Sequence, residues 1–222
     1  MRYSWLGGTV ALVCALLEPA EAFTPSASSV VAAHRTNAAA SPDAALQVAQ
    51  QVLAWGDHGQ RPFAVVDKQA ALILVLQADG VLVGSSPVLL GRALGDHSAP
   101  GVGHRTQNGA LRDSDHTTPA GRFRSEPGRN LTGEAIIWLD YDSAFAIHRL
   151  RNGPTRDSRV LQLASADSRD RRVSAGCVVV PEAFYDRVVQ RLLGQSRGMV
   201  YVMPENGAWQ DNWRGLRADN DV

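Results

Sequence analysis

Cysteine is nearly absent from this 222-residue chain, which has only Cys14 and Cys177. Neither a Cys-x-x-Cys pair nor a His-x-x-x-His spacing occurs, so the usual zinc ligand sets are missing. His97, His104 and His116 are scattered along a glycine-rich stretch and do not make a site, and no metal is expected. A charge excess is lacking as well: Lys plus Arg number 22 and Asp plus Glu 22. Without a basic surplus, neither nucleic acid nor an anionic membrane surface is an expected partner. Lysine itself is almost missing, Lys68 being the only one. The apolar run Trp5 to Leu17 falls short of the ~20 residues that a membrane-spanning helix needs. The chain does have a 45% hydrophobic fraction, that of a folded protein with one domain of roughly 150 residues plus appendages.

That short apolar run follows Arg2 and precedes Ala20-Glu21-Ala22, a small-x-small site. Residues 1–22 are therefore expected to be a secretory signal peptide, with no stable membrane span in the mature form. Cleavage there removes Cys14 and leaves Cys177 without a disulfide partner. In an oxidising compartment such a thiol is either buried and inert or chemically employed. Residues 23–40, rich in Ala, Ser, Thr and Pro, read as a flexible linker. Residues 41–60 read as an N-terminal helix, with Ser41 as its cap, Pro42 at its first position and Leu46, Ala49, Val52 and Leu53 at helical spacing until Gly56. Residues 61–204 form the main domain, and 205–222 a tail in which Trp209 and Trp213 follow no period.

Within the main domain, Phe63 to Val66, Ala71 to Leu76 and Val81 to Leu90 are apolar or alternating runs of strand type. Ala78-Asp79-Gly80 makes the last two an antiparallel hairpin. Gly121 to Arg124, Ala135 to Leu139, Phe145 to Leu150, Cys177 to Val180 and Met199 to Met203 continue the pattern. Gly91 to Asp115 reads as a surface loop. Arg151 to Arg172 reads as a charged loop with one turn around Val160 to Ala164. A helix opening at Pro181 carries Phe184, Val188, Val189, Leu192 and Leu193 on one face.

Chemistry concentrates where Ser174-Ala175-Gly176-Cys177 meets the apolar run that follows it. Gly176 permits close backbone approach, and the amides of Gly176 and Cys177 are candidate donors to an oxyanion. A thiol of ordinary pKa ~8.5 needs a neighbouring base to react. His148, at the end of the strand Phe145-Ala146-Ile147-His148, is the best placed; the other reading of it is a core histidine bonded to a backbone carbonyl.

These residues resemble the L,D-transpeptidase catalytic domain (YkuD-like), marked by a histidine at a strand end followed by Ser-x-Gly-Cys ahead of a hydrophobic strand. The resemblance runs from about Phe63 to Pro204. It takes in Val66-Asp67-Lys68-Gln69, Gly91 to Asp96, Thr117-Thr118-Pro119-Ala120-Gly121-Arg122-Phe123 and Trp138-Leu139-Asp140-Tyr141. It implies a mainly β fold, a β-sandwich of mixed sheets with a few peripheral helices. It also implies a cysteine acyltransferase of the periplasm or cell envelope, acting on peptidoglycan stem peptides without a cofactor. Cys177 would be the nucleophile, His148 its proton acceptor and Ser174 the residue that fixes the loop.

Departures from the family fall at Val179, where Arg or Asn is usual, at Arg149, where Gly is frequent, and at Ala175, where a larger side chain is common. With Arg172 at the end of the charged loop, Val179 and Arg149 are the expected substrate contacts, Val179 lining the cleft floor. Two other outcomes share this scaffold: an L,D-carboxypeptidase, in which water takes the acyl group, and a catalytically degenerate peptidoglycan-binding protein.

Overall fold

The structure, a computed structural model, describes residues 43–205. The expected signal peptide, the linker, the Ser41 and Pro42 helix start and the Trp209 and Trp213 tail lie outside the described residues.

Helix α1 (Asp43–Trp55) buries Ala45, Val48, Ala49 and Val52, one stripe at helical spacing. It stops at Gly56, whose φ of 65° is left-handed and whose N–H donates to Leu53 O at 3.0 Å. The strands β1 (Phe63–Asp67), β2 (Leu72–Leu76), β3 (Leu82–Pro87) and β4 (Leu90–Gly91) follow. Next come α2 (Val102–Gln107), then β5 (Gly121–Arg124), β6 (Glu126–Arg129), β7 (Ala135–Asp140) and β8 (Phe145–Arg149). After α3 (Arg156–Ala164) the chain forms β9 (Arg172–Ser174) and β10 (Val178–Val180). A helical stretch with a wide π segment at Tyr185–Val189 leads into β11 (Met199–Val202).

These strands make a five-stranded sheet, β3-β2-β1-β11-β5, and a four-stranded sheet, β10-β8-β7-β6, with β4 and β9 paired apart. Both large sheets are mixed, since β1 with β11 and β10 with β8 are parallel and the other pairs antiparallel. Alternation along each strand assigns the faces. Ala64, Val66, Ile73, Val75, Val200 and Val202 meet Ile137, Leu139, Phe145, Ile147, Val178 and Val180 between the sheets. Phe63, Val65, Leu72, Leu74, Met199 and Tyr201 point the other way, onto α1. Burial on both faces is why β1 and β2 read as unbroken apolar runs. The result is the mainly β fold of mixed sheets with peripheral helices that the resemblance implies.

Four segments differ from the sequence expectation. Gly91 to Asp115, expected as a surface loop, holds the helix α2. Val81 to Leu90 is two strands, because Pro87 ends β3 and Leu89 turns to exchange both backbone hydrogen bonds with Val179. Glu126–Arg129 pairs with β7 as an edge strand, although Glu126-Pro127-Gly128-Arg129 has no apolar alternation; an edge tolerates proline. Arg156–Ala164 is a nine-residue helix where a loop with one turn is expected, and it buries only Leu163, so no apolar stripe announces it.

Lys68, fully buried just past β1, ties the loops that support the site. Its ammonium donates to Gly95 O at 2.6 Å, Asp96 Oδ1 at 2.7 Å and Thr118 O at 2.9 Å. A buried charge with three acceptors is costly to break, which fixes the Thr117-Thr118 segment in place.

Candidate active site

Register determines which side chains meet. In the parallel pair β8 and β10, Val179 lies beside His148 and Val178 beside Ile147. Cys177, two residues before Val179, therefore shares the face of Val179 and His148, as does Ala146. The outer face of the four-stranded sheet is the floor of a cavity of about 500 Å³ lined by these four residues together with Ser174 and Ala175. Ile136, Trp138 and Tyr141 form one wall, with the Trp138 and Tyr141 rings edge to face at 5.0 Å. Arg151 and, from α3, Arg159 form another.

The turn carrying the thiol is held from several sides. Ser174 Oγ donates to Cys177 O at 2.7 Å and accepts from Gly176 N–H at 3.1 Å. Thr118 Oγ1 donates to Gly176 O at 2.7 Å and accepts from Gly91 N–H at 2.8 Å. Gly176 has a φ of +126°, and a Cβ there would lie 2.9 Å from Thr117 O. The Gly176 amide, read from sequence as an oxyanion donor, is thus occupied by Ser174. The Cys177 N–H has no acceptor among the described residues and stays available.

Cys177 is half-buried, and its thiol donates to Ala144 O at 3.5 Å. Burial pushes the thiol pKa up; a backbone hydrogen bond from Ala146 and the charge of Arg151 pull the other way. His148 Nδ1 lies 2.8 Å from Arg149 O. A carbonyl oxygen only accepts, so Nδ1 carries the proton and Nε2 keeps its lone pair. Burial, then the Arg151 charge, lowers the His148 pKa to about 4, with Arg159 adding to the effect and the Arg149 carbonyl and Glu134 opposing it. At neutral pH the site therefore holds a neutral thiol and a neutral imidazole, which calls for general-base deprotonation during attack.

Cys177, His148, Ser174, Gly176 and Val179 come together as the sequence reading groups them, whereas Arg149 and Arg172 are placed elsewhere. Arg149 follows His148 in β8 and so points to the opposite face, its guanidinium 4.8 Å over the Tyr185 ring and 3.1 Å from Asp186. Arg172 pairs with Glu205 at 2.7 Å and donates to Lys68 O at 2.8 Å, supporting the Lys68 cluster. Of the guanidinium groups that do line the cavity, Arg151 and Arg159 belong to the arginine-rich segment from Arg151 to Arg172 that the sequence marks as a charged loop, and Arg129 escapes the sequence reading. Arg159 has no assignable face until Arg156–Ala164 is known to be helical.

Val179 lines the floor but is only 1% exposed, packed with Leu89, Leu150 and Leu163. An amide at that position enters an apolar cluster, at a cost of roughly 1–3 kcal/mol. Val179→Asn is expected to lower the melting temperature by several degrees, at about 2–4 °C per kcal/mol for a chain of this size. Thermal denaturation followed by circular dichroism checks this, and an unchanged transition contradicts the packing role.

Among the described residues, no group of three or more His, Cys, Asp or Glu side chains is placed to hold a metal ion. Residues 61–202 match the YkuD family, the L,D-transpeptidase catalytic domain. No curated protein matches the chain. Similar solved structures include an L,D-transpeptidase from Xylanimonas cellulosilytica DSM 15894, at 19% identity over 64% of this chain and 60% of that one, with a TM-score of 0.36. The Ldtfm-avibactam carbamoyl enzyme matches at 18% identity over 65% and 49%, TM-score 0.37. The LD transpeptidase LdtMt1, solved in complex with imipenem, matches at 16% identity over 64% and 58%, TM-score 0.36. The matched part of this chain spans about half to 60% of those chains.

Proposed function

Since the chain belongs to the L,D-transpeptidase catalytic domain family, we propose that it is a cysteine acyltransferase acting on peptidoglycan stem peptides, with Cys177 as nucleophile and His148 as base. The observation that carries this reading is that one free thiol and one imidazole, its Nδ1 held at the Arg149 carbonyl, line the same cavity at the end of β8 and the start of β10.

In the donor half-reaction, Cys177 Sγ attacks the carbonyl at the L-centre of diaminopimelate while its proton passes to His148 Nε2. The oxyanion is met by the Cys177 N–H, and Ser174, already bonded to Gly176 and Cys177, keeps that amide aimed. Collapse breaks the bond to the terminal D-amino acid, whose nitrogen takes the proton from His148, leaving a thioester on Cys177. An amine of a second stem then attacks the thioester, gives its proton to His148 and restores the thiol. No cofactor takes part in this scheme.

The proposed precursor has residues 1–22 as a signal peptide, 23–40 as a linker, 41–60 as the N-terminal helix and 61–204 as the catalytic domain. It would act in the periplasm or cell envelope. Among the described residues no helix is long and apolar enough to cross a membrane. Incubation with purified muropeptides and mass spectrometry of the products tests the function. Crosslinked dimers, absent with Cys177→Ala, are the expected result. Shortened monomers alone indicate hydrolysis on the same scaffold, and no Cys177-dependent product overturns the reading.

A further inference from the structure

The cavity is strongly one-signed in a chain whose formal net charge is zero. Three arginines, Arg129, Arg151 and Arg159, line it, and none of its lining residues is Asp or Glu. Two of the three are already engaged. Arg129 donates to Gly133 O, and Arg151 is paired with Glu134 at 2.7 Å. Arg159 is half-buried, and its guanidinium has no carboxylate or carbonyl partner among the described residues.

Its position follows from the helix. Leu163, the one buried residue of α3, packs on Val179. Arg159 lies four residues earlier, one turn along the same face, and so is carried beyond the apolar contact into the cavity. Arg159 lines the same cavity as His148 and Cys177. In the proposed reaction His148 returns the proton to the leaving group there.

We propose that Arg159 is a specificity-determining residue that binds the free carboxylate of the departing D-amino acid, selecting acyl donors that end in a carboxylate. This rests on the acyl-transfer reading given above. A planar guanidinium suits a carboxylate because it offers two parallel N–H donors. The carboxylate of a terminal residue lies next to the scissile amide, within reach of a group lining the same cavity. Arg129 and Arg151, already paired, supply background field.

Two measurements on the mature chain test it. The first uses small alkylating agents on Cys177, read by intact mass, and does not depend on peptidoglycan chemistry. Arg159→Ala should lower the ratio of iodoacetate to iodoacetamide labelling by ~5-fold or more at low salt, and high salt should shrink the difference. The second compares tetrapeptide stem donors ending in D-alanine carboxylate or D-alanine amide. Arg159→Ala should cut acylation by the carboxylate donor ~10-fold or more and by the amide donor less than about twofold. Arg159→Lys, which keeps the charge and loses the fork, should fall between. Arg156→Ala is the control: Arg156 sits on the same helix but binds Asn152 and Glu182 outside the cavity, so it should leave both ratios unchanged. An unchanged iodoacetate ratio, or equal slowing of both stem donors, overturns the assignment. A wild-type protein acylated by neither stem overturns the acyl-transfer reading instead, and the alkylation ratio then still decides whether Arg159 binds carboxylate.

Discussion

His148→Ala is expected to keep its fold and to lose Cys177 acylation by roughly 10²- to 10⁴-fold, the usual contribution of a general base. The size of the loss follows from the resting state. Burial raises the Cys177 thiol pKa and lowers that of His148 to about 4, so no thiolate–imidazolium pair is stored in advance. The proton must leave as the sulfur attacks, and His148 is the group with a lone pair to accept it, because the Arg149 carbonyl fixes the proton on Nδ1.

The same burial gives this prediction two pH signatures. An ordinary histidine of pKa ~6.5 is mostly protonated at pH 5 and useless as a base. His148 stays neutral there, so wild-type kcat/KM should hold from pH 7 down to about 5 and fall only on approaching pH 4. Stability moves in the opposite sense to a histidine with a salt-bridge partner. Between pH 6.5 and 4 the unfolded chain binds a proton that the native chain refuses, so stability is full above 6.5 and is lost as pH falls toward 4. From pH 6.5 to 5 the wild type should lose roughly 2 kcal/mol more than His148→Ala, measured by urea denaturation at each pH. An acid limb near 6.5, or parallel stability curves for the two proteins, excludes His148 as the buried base.

What could be read in advance depends on whether a feature is carried by pattern or by packing. Phe63 to Val66 and Leu72 to Leu76 declare themselves because strands buried on both faces are apolar throughout. Ala78-Asp79-Gly80 declares its hairpin through glycine at a φ of +86°. Cys177 and His148 stand out by residue chemistry and by their places at strand ends. Arg149 does not reveal its direction from composition, yet the alternation that puts His148 in the cavity turns Arg149 to Tyr185, a consequence that needs the strand boundary. β6 and α3 leave no periodic trace because each buries little apolar surface. Arg129 and Arg159 come from these two segments, and Arg151 from the loop between β8 and α3. The Gly176 amide was legible as a nearby donor, but its capture by Ser174 follows from the local turn, not from spacing.

Gly176→Ala should be the most damaging change outside the two reacting side chains. At a φ of +126°, beyond the left-handed helical well, a residue with a Cβ is strained by roughly 1–3 kcal/mol. The new methyl also lies 2.9 Å from Thr117 O, an overpacking of roughly 1–3 kcal/mol. Relief would require the Thr117-Thr118 backbone to retreat. It is pinned there, since Lys68 binds Thr118 O at 2.9 Å and Thr118 Oγ1 bridges Gly176 O and Gly91 N–H. The turn of Ser174 to Cys177 must yield instead, and a shift of about 1 Å in a reacting atom costs on the order of 10²-fold in rate. Expected together are a stability loss of roughly 2–6 kcal/mol in urea and a fall in Cys177 acylation of about 10²-fold in the fraction that remains folded. Gly109→Ala separates the two causes, because Gly109 has a φ of +66° with nothing within 4 Å of its would-be Cβ. That control carries left-handed backbone strain with no close contact, should cost no more than about 2 kcal/mol, and should leave acylation intact. Should Gly176→Ala match Gly109→Ala in both readouts, Thr117 gives way after all and the rigidity assigned to the Lys68 anchor is wrong.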